Sequence, residues 1–185
     1  MALHFTTSYL KDSTDLFRYY KKLGERAIAQ CPDHGLFATL DAESNSIATI
    51  VKHMSNNMKS RWTSFLTTDG DKPDRNRDRE FEDPPKARQQ LVELWEQGWT
   101  YLLDALEPLT AADLGRAVTI RGEAHSVMQA INRQMAHYSY HIGQIVFVAK
   151  HFGVVENGKW DSLSVPRGQS QQFAEAVRTG KKSQR

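Results

Sequence analysis

Apolar residues recur along this chain at intervals of three and four, the spacing that gathers them on one face of an α-helix, and the alternation of a half-buried strand is nearly absent. Four long segments carry the pattern. The first spans Phe5 to Gln30, with Tyr9, Leu16, Phe17, Tyr20, Leu23, Ala27 and Ile28 as its inner stripe, Thr6, Thr7 and Ser8 as candidate N-caps and Cys31-Pro32 as its stop. The second runs from Ser46 to Thr67, with Ile47, Val51, Met54, Met58 and Phe65 on one side, and Asp69-Gly70-Asp71-Lys72-Pro73 breaks it. The third starts at Pro85, where the missing N–H of proline costs nothing in a first turn, and passes through Leu91, Trp95, Trp99, Leu102 and Leu106 to Glu107-Pro108. The fourth and longest extends from Glu123 to Phe152, with Gly153 as its end.

The polar connection from Asp69 to Pro85 mixes Asp74, Arg75, Arg77, Asp78, Arg79 and Glu80, and such a charge-rich stretch is expected to be solvated, with Arg77 and Asp78 as a local ion pair. Thr110 to Asp113 reads as a short capped turn, and Val118 to Gly122 is extended but too brief to build a sheet. After Gly153 the chain turns irregular, with a weakly helical piece from Gln171 to Val177 and a frayed end. The pattern predicts an all-α fold: a four-helix bundle over residues 1–152, with a long polar connection between helices 2 and 3. Residues 153–185 form a C-terminal extension packed on, or trailing from, the same domain.

Composition narrows the class. A hydrophobic share of 39% and a charged share of 25% are those of an ordinary globular domain. A formal net charge of +2 argues against a nucleic-acid surface. One cysteine, Cys31, allows no intramolecular disulfide, so a reducing cytoplasm is the expected compartment, and Cys31 itself reads as a small buried or capping residue. The start Met1-Ala2-Leu3-His4-Phe5 does not read as a signal peptide, and no run approaches the ~20 apolar residues that span a bilayer, so no membrane partner is expected. There is no Gly-rich phosphate cradle, nucleophile-elbow serine or Cys-x-x-Cys pair, and Trp62, Trp95 and Trp99 read as core anchors.

The chemistry rests on histidine. Of seven, His137 and His141 stand at i and i+4, within roughly 40° of one another around the helix, so both rings can reach one ion from one face. That face also holds Val127, Ala130, Gln134, Tyr138, Ile145 and Val148, which turns the pair inward, while His125 projects to the opposite side and His151 to the flank. Inward histidines are also common as neutral core residues. A third ligand must come from another helix. His53, alone in the second, is the natural choice, although its place beside Ile50 at the margin of the apolar stripe, taken by pattern alone, favours a half-exposed boundary residue.

A histidine late in the second helix followed by His-x-x-x-His in the fourth resembles the DinB-like (YfiT-like) four-helix metalloproteins. The resemblance is carried by Asn45-Ser46-Ile47-Ala48-Thr49-Ile50-Val51-Lys52-His53-Met54, Arg61-Trp62-Thr63-Ser64-Phe65-Leu66-Thr67-Thr68-Asp69-Gly70, Asn76-Arg77-Asp78, the block from Ala130 to Ile145, and Leu163-Ser164-Val165-Pro166-Arg167-Gly168. It covers nearly the whole chain and points to an uncharacterised bacterial branch. It implies a divalent metal, zinc or nickel, held by His53, His137 and His141. It also implies a homodimer, and a kinship with thiol-S-transferases that use bacillithiol, mycothiol or glutathione. The implied function is a metal-dependent enzyme transferring a low-molecular-weight thiol to a small electrophile. The alternatives are hydrolysis by metal-bound water and a non-catalytic metal- or ligand-binding bundle. Asn57, Arg61, Gln134 and Tyr138 are candidates either to fix an imidazole or to contact substrate, and Arg61, Arg75 and Arg77 could receive an anionic group.

Overall fold

The computed structural model describes residues 9–183 and shows an all-α fold with one small hairpin. Helix α1 covers Tyr9–Gln30, a short α2 covers Asp33–Phe37, α3 covers Ile47–Trp62 and α4 covers Arg88–Leu106. Strands β1, Ala117–Ile120, and β2, Glu123–Ser126, precede α5, Val127–Asn157, and a last helix α6 covers Ser170–Arg178. The candidate caps Thr6, Thr7 and Ser8 lie outside the described residues. The four long helices close a ring of contacts: α1 packs on α5, α5 on α3, α3 on α4 and α4 back on α1. Between them lie Phe17, Leu36, Met54, Met58, Leu91, Trp99, Leu102, Ile131, Tyr138, Ile142 and Ile145, all buried. No described helix is long and apolar enough to cross a membrane.

Helix boundaries follow side-chain chemistry. Ser46 Oγ accepts the Thr49 N–H at 3.1 Å to start α3. Ser126 and Gln129 cap α5 reciprocally, the Ser126 hydroxyl accepting the Gln129 N–H and the Gln129 amide oxygen accepting the Ser126 N–H. The residues before that cap, expected to begin the helix, belong instead to a two-stranded antiparallel hairpin in which Ile120 pairs with Glu123. Its two-residue turn, Arg121-Gly122, has both φ values positive, 56° and 76°, the twist that matches paired strands. Four residues per strand thus suffice for a sheet because α5 and the long connection pack against it.

The stop expected at Gly153 is also displaced. Helix α5 runs on to Asn157 and ends at Gly158, which takes the left-handed conformation at φ 68°. Gly153 lies where α5 approaches the end of α1: a Cβ there would stand 2.9 Å from the Gln30 carbonyl oxygen. The following segment lies along α1, with the Arg26 guanidinium donating to the carbonyls of Ser162 and Leu163 and Gln30 bonding Asp161.

Helix α3 is the centre of the molecule, buried on nearly every side. Its approach to α4 is set by Gly98, whose added Cβ would meet the Ser55 Cα at 2.8 Å and the Met58 sulfur at 3.2 Å. Because the nearest obstacle is backbone, Gly98→Ala must push the two helices apart, with an expected destabilisation of about 1–3 kcal/mol. Urea unfolding followed by circular dichroism checks this.

Candidate metal centre

The connection from residue 69 to 85 is the element that builds the site. It returns along a second face of α3. Ser60 Oγ donates to the Gly70 carbonyl at 2.8 Å and accepts the Lys72 N–H. The Arg61 guanidinium bonds the same carbonyl and Asp71 Oδ1. A turn of 3-10 helix, Asp78–Phe81, then delivers Glu80 and Phe81 to His53, and Lys52 holds the carbonyls of Arg79, Glu82 and Asp83. At its start the connection is anchored to the hairpin. The Asp69 carboxylate accepts the backbone N–H groups of Asp71, Arg121 and Gly122, and the Gly70 N–H donates to Thr119 O at 2.7 Å.

Asp74, Arg77, Asp78 and Arg79 are exposed as expected, but Arg75 and Glu80 turn inward into an ion network beneath the surface. The Arg75 side chain is 6% exposed and that of Glu80 3%. Arg75 grips Glu80 through Nε at 2.7 Å and Nη2 at 3.0 Å, and reaches Asp71 through Nη1 at 2.9 Å. Burial alone would raise the Glu80 pKa, but the hydrogen bonds from His53 and Arg75 outweigh it and hold the carboxyl below its usual range. The expected pair of Arg77 and Asp78 is loose, 3.9 Å apart with both side chains exposed, and Arg77 lies instead over the Phe81 ring at 5.3 Å.

Against this wall the three histidines meet. His53 Nε2 stands 3.3 Å from His137 Nε2, and His141 Nε2 stands 3.2 Å from the same atom. His53 is 4% exposed, not a boundary residue, because the connection covers the flank that the stripe on α3 leaves open. The far side of two rings is held by acceptors. His53 Nδ1 donates to Glu80 Oε2 at 2.7 Å, and His141 Nδ1 donates to Gln144 Oε1 at 2.8 Å. With those protons pointing outward, the lone pairs of both Nε2 atoms point inward. Phe81 stacks on His53 at 4.7 Å and 26°.

This donor set fits a cation. Two nitrogens at about 2.1 Å from one tetrahedral metal stand about 3.4 Å apart, close to the two spacings from His137, and all three candidate ligand nitrogens lie within 4.8 Å of one another. Carboxylate or amide oxygens on the outer ring nitrogens are what orients metal-binding imidazoles. Burial, with the charges of the neighbouring rings and of Arg61 and Arg133 adding to it, lowers the His137 pKa to about 3. Burial likewise lowers that of His141 to about 4, against the Gln144 hydrogen bond that would raise it. Both rings are therefore neutral at pH 7, the form that coordinates.

The profile of a family described as "Protein of unknown function (DUF1572)" matches residues 4–169. The chain belongs to the DUF1572 family. The fold is similar to that of a DinB-like protein from Bacillus cereus ATCC 10987. That likeness has a TM-score of 0.62 at 13% identity and covers 77% of this chain and 92% of the other. At that identity it speaks to the fold alone. The curated proteins contain no match to this chain.

Among the other residues singled out in this DUF1572 sequence, Asn57, Arg61 and Gln134 line the cavity in front of the histidines, together with Arg75 and Arg77. Tyr138 does not reach it. Its hydroxyl is wholly buried and joins a closed cluster, accepting from Trp62 Nε1 and Gln134 Nε2 and donating to Asn57 Oδ1 at 3.0 Å. Gln134 Nε2 also donates to Asn57 Oδ1 at 2.7 Å, so the cluster fastens α3 to α5 and leaves the imidazoles to Glu80 and Gln144. Those two partners were missed by pattern. Gln144 carried a signal, its i+3 spacing from His141, whereas Glu80 had none in a loop. His125 and His151 stay outside the cluster, and His4 lies outside the described residues. Cys31 is buried, its thiol pushed up to about 11 by burial, and takes no part.

Asp71 ties Arg61, Arg75 and Arg121 together, and this clamp should be visible in acid. Burial opposes its ionisation, but hydrogen bonds from the three guanidinium groups prevail and hold its pKa at about 2. A depressed carboxyl stabilises the fold fully above the ordinary range near pH 4, and that contribution is lost as pH falls toward about 2. Asp71→Asn is expected to cost about 1–3 kcal/mol at neutral pH and to show a smaller fall in Tm between about pH 4 and 2 than the parent. Thermal melts across that range check it.

Proposed function

We propose that this protein is a divalent-metal enzyme in which His53, His137 and His141 hold zinc or nickel, and that it transfers a low-molecular-weight thiol to a small electrophile. The four long helices are read as a DinB/YfiT-like four-helix bundle carrying the site between α3 and α5. The observation that carries the proposal is the convergence of three imidazoles, with His53 and His141 Nε2 each 3.2–3.3 Å from His137 Nε2, all three candidate ligand nitrogens within 4.8 Å of one another, and two of the outer nitrogens already held by acceptors. Three protein nitrogens leave coordination positions open, the arrangement of a catalytic site and not of a closed structural one. The open side faces a cavity of about 360 Å³, room for a small co-substrate.

When bound, such a metal would favour the thiolate form of a small thiol at neutral pH, and the thiolate is the form that attacks electrophiles. The chain supplies the rest. Glu80 and Gln144 keep protons on the outer nitrogens of His53 and His141, Phe81 shields the His53 ring from water, and the cluster of Asn57, Gln134 and Tyr138 holds α3 and α5 in register.

Elemental analysis of the purified protein is expected to find one metal ion per chain, removed by His137→Ala or His141→Ala. Glu80→Gln keeps the side-chain shape but removes the carboxylate behind His53, and should weaken metal binding about 10–100-fold in a chelator competition. In cobalt-substituted protein, a small thiol should shift the visible spectrum as its sulfur enters the coordination sphere. A protein that holds metal yet shows neither that shift nor turnover with a panel of thiols and electrophiles rules the transferase reading out.

A further inference from the structure

The cavity before the histidines is lined by five arginines, Arg61, Arg75, Arg77, Arg121 and Arg133, and by no aspartate or glutamate. A chain whose net charge is only +2 has concentrated its positive charge at one mouth. The carboxylates that answer these arginines stand behind them. Glu80 is consumed by Arg75 and His53, and Asp71 is shared among Arg61, Arg75 and Arg121. That leaves guanidinium groups without a full partner. Arg133 forms no ion pair among the described residues, Arg77 has only the exposed Asp78 at 3.9 Å, and the half-exposed Arg121 spends a single Nε–H on Asp71 at 3.1 Å.

A second observation lies deeper. Arg61 is 4% exposed, yet its Nε has no hydrogen-bond partner. A buried guanidinium N–H left without an acceptor is costly and calls for a partner such as water, an ion or a bound group, and Arg61 is one of the residues that line the cavity. The remaining arginines are placed to serve the same guest. Arg133 precedes His137 by four residues on α5 and so shares its face, Arg121 sits in the hairpin turn, and Arg77 leads into the turn that carries Glu80. Three separate elements thus bring charge to one opening. A guanidinium fork pairs with planar carboxylate or with phosphate, and a concave chamber of this size selects a small molecule over a polymer.

We propose that the molecule taken up at the three-histidine site is a small anion bearing at least one carboxylate or phosphate group, gripped at the rim by Arg77, Arg121 and Arg133 and completed in the interior by Arg61. The inference rests on the reading of this cavity as the substrate chamber. It concerns the end of the substrate away from the reacting atom. The anionic group anchors the molecule through charge-assisted hydrogen bonds, while the histidines face its other end.

The test uses metal-loaded protein and the same protein after chelation, each titrated with inorganic phosphate, with succinate and with neutral succinamide. Binding is read by isothermal calorimetry and by amide and imidazole chemical shifts. Phosphate or succinate should bind and weaken as salt rises, with shifts centred on the cavity, and whichever binds tighter names the group. Succinamide should not bind. Arg77→Gln with Arg133→Gln, both exposed and free of buried partners, should weaken the anion at least about tenfold with Tm unchanged. Lys150→Gln, which removes one positive charge elsewhere on α5, should leave it unaltered. Equal binding of succinate and succinamide, no anion binding at all, or an affinity indifferent to the arginine substitutions overturns the proposal. A protein that binds the anion but no metal leaves this inference standing and removes the metal reading. Stoichiometric metal with no anion binding does the reverse.

Discussion

A carboxylate that is 3% exposed must be answered by charge and hydrogen bonds, because removing it from water costs several kcal/mol. In this protein the carboxylate is Glu80, and its two partners explain why the surrounding parts lie where they do. Arg75 takes both of its oxygens, and the His53 N–H takes one of them. The first bond folds a charged loop back on itself. The second joins that loop to the central helix and at the same time decides which nitrogen of His53 is bare. Scaffold and site therefore meet in one hydrogen bond.

Other contacts extend the same constraint outward. Asp71 links Arg75 to Arg61 on α3 and to Arg121 in the hairpin, while Asp69 receives three backbone N–H groups from the hairpin turn and its own loop. The hairpin leads directly into α5 through the reciprocal cap of Ser126 and Gln129, and α5 carries His137 and His141. A continuous line of polar contacts therefore runs from the ring of His53, through the loop and the hairpin, to the helix that bears the other two rings. Across the interior, Trp62, Asn57, Gln134 and Tyr138 close the loop by a shorter route.

Local periodicity made the scaffold legible. Most of the apolar stripes of the four long helices, and the inward turn of His137 and His141, follow from spacing on one element, although Leu16 proves exposed and Phe65 lies beyond the end of α3. What escaped depended on contacts between elements. Gly153 resembles a helix stop in isolation, but its lack of a side chain serves the approach of α5 to α1. The strand from Glu123 to Ser126 carries a weak pattern and owes its form to a positive-φ turn and to neighbours. His53 sits at the edge of a stripe, and only a distant loop tells whether that edge is wet or dry. The acid and base of that loop look like any soluble connection until Glu80 and Arg75 are seen facing each other. Glu80 was the hardest residue to find for the same reason: its partner lies 27 positions earlier in the chain.

The division of labour between the helices and the connection has an evolutionary reading. The helices provide three imidazoles and a rigid frame, and changing them disturbs the core. Of the five arginines, Arg77 lies on the connection and Arg121 in a two-residue turn, outside the helical frame and outside the grip on Glu80. Descendants of a common ancestor can therefore change the charge at this opening by rewriting a few positions in a loop and a turn, while the three-histidine cluster is inherited unchanged.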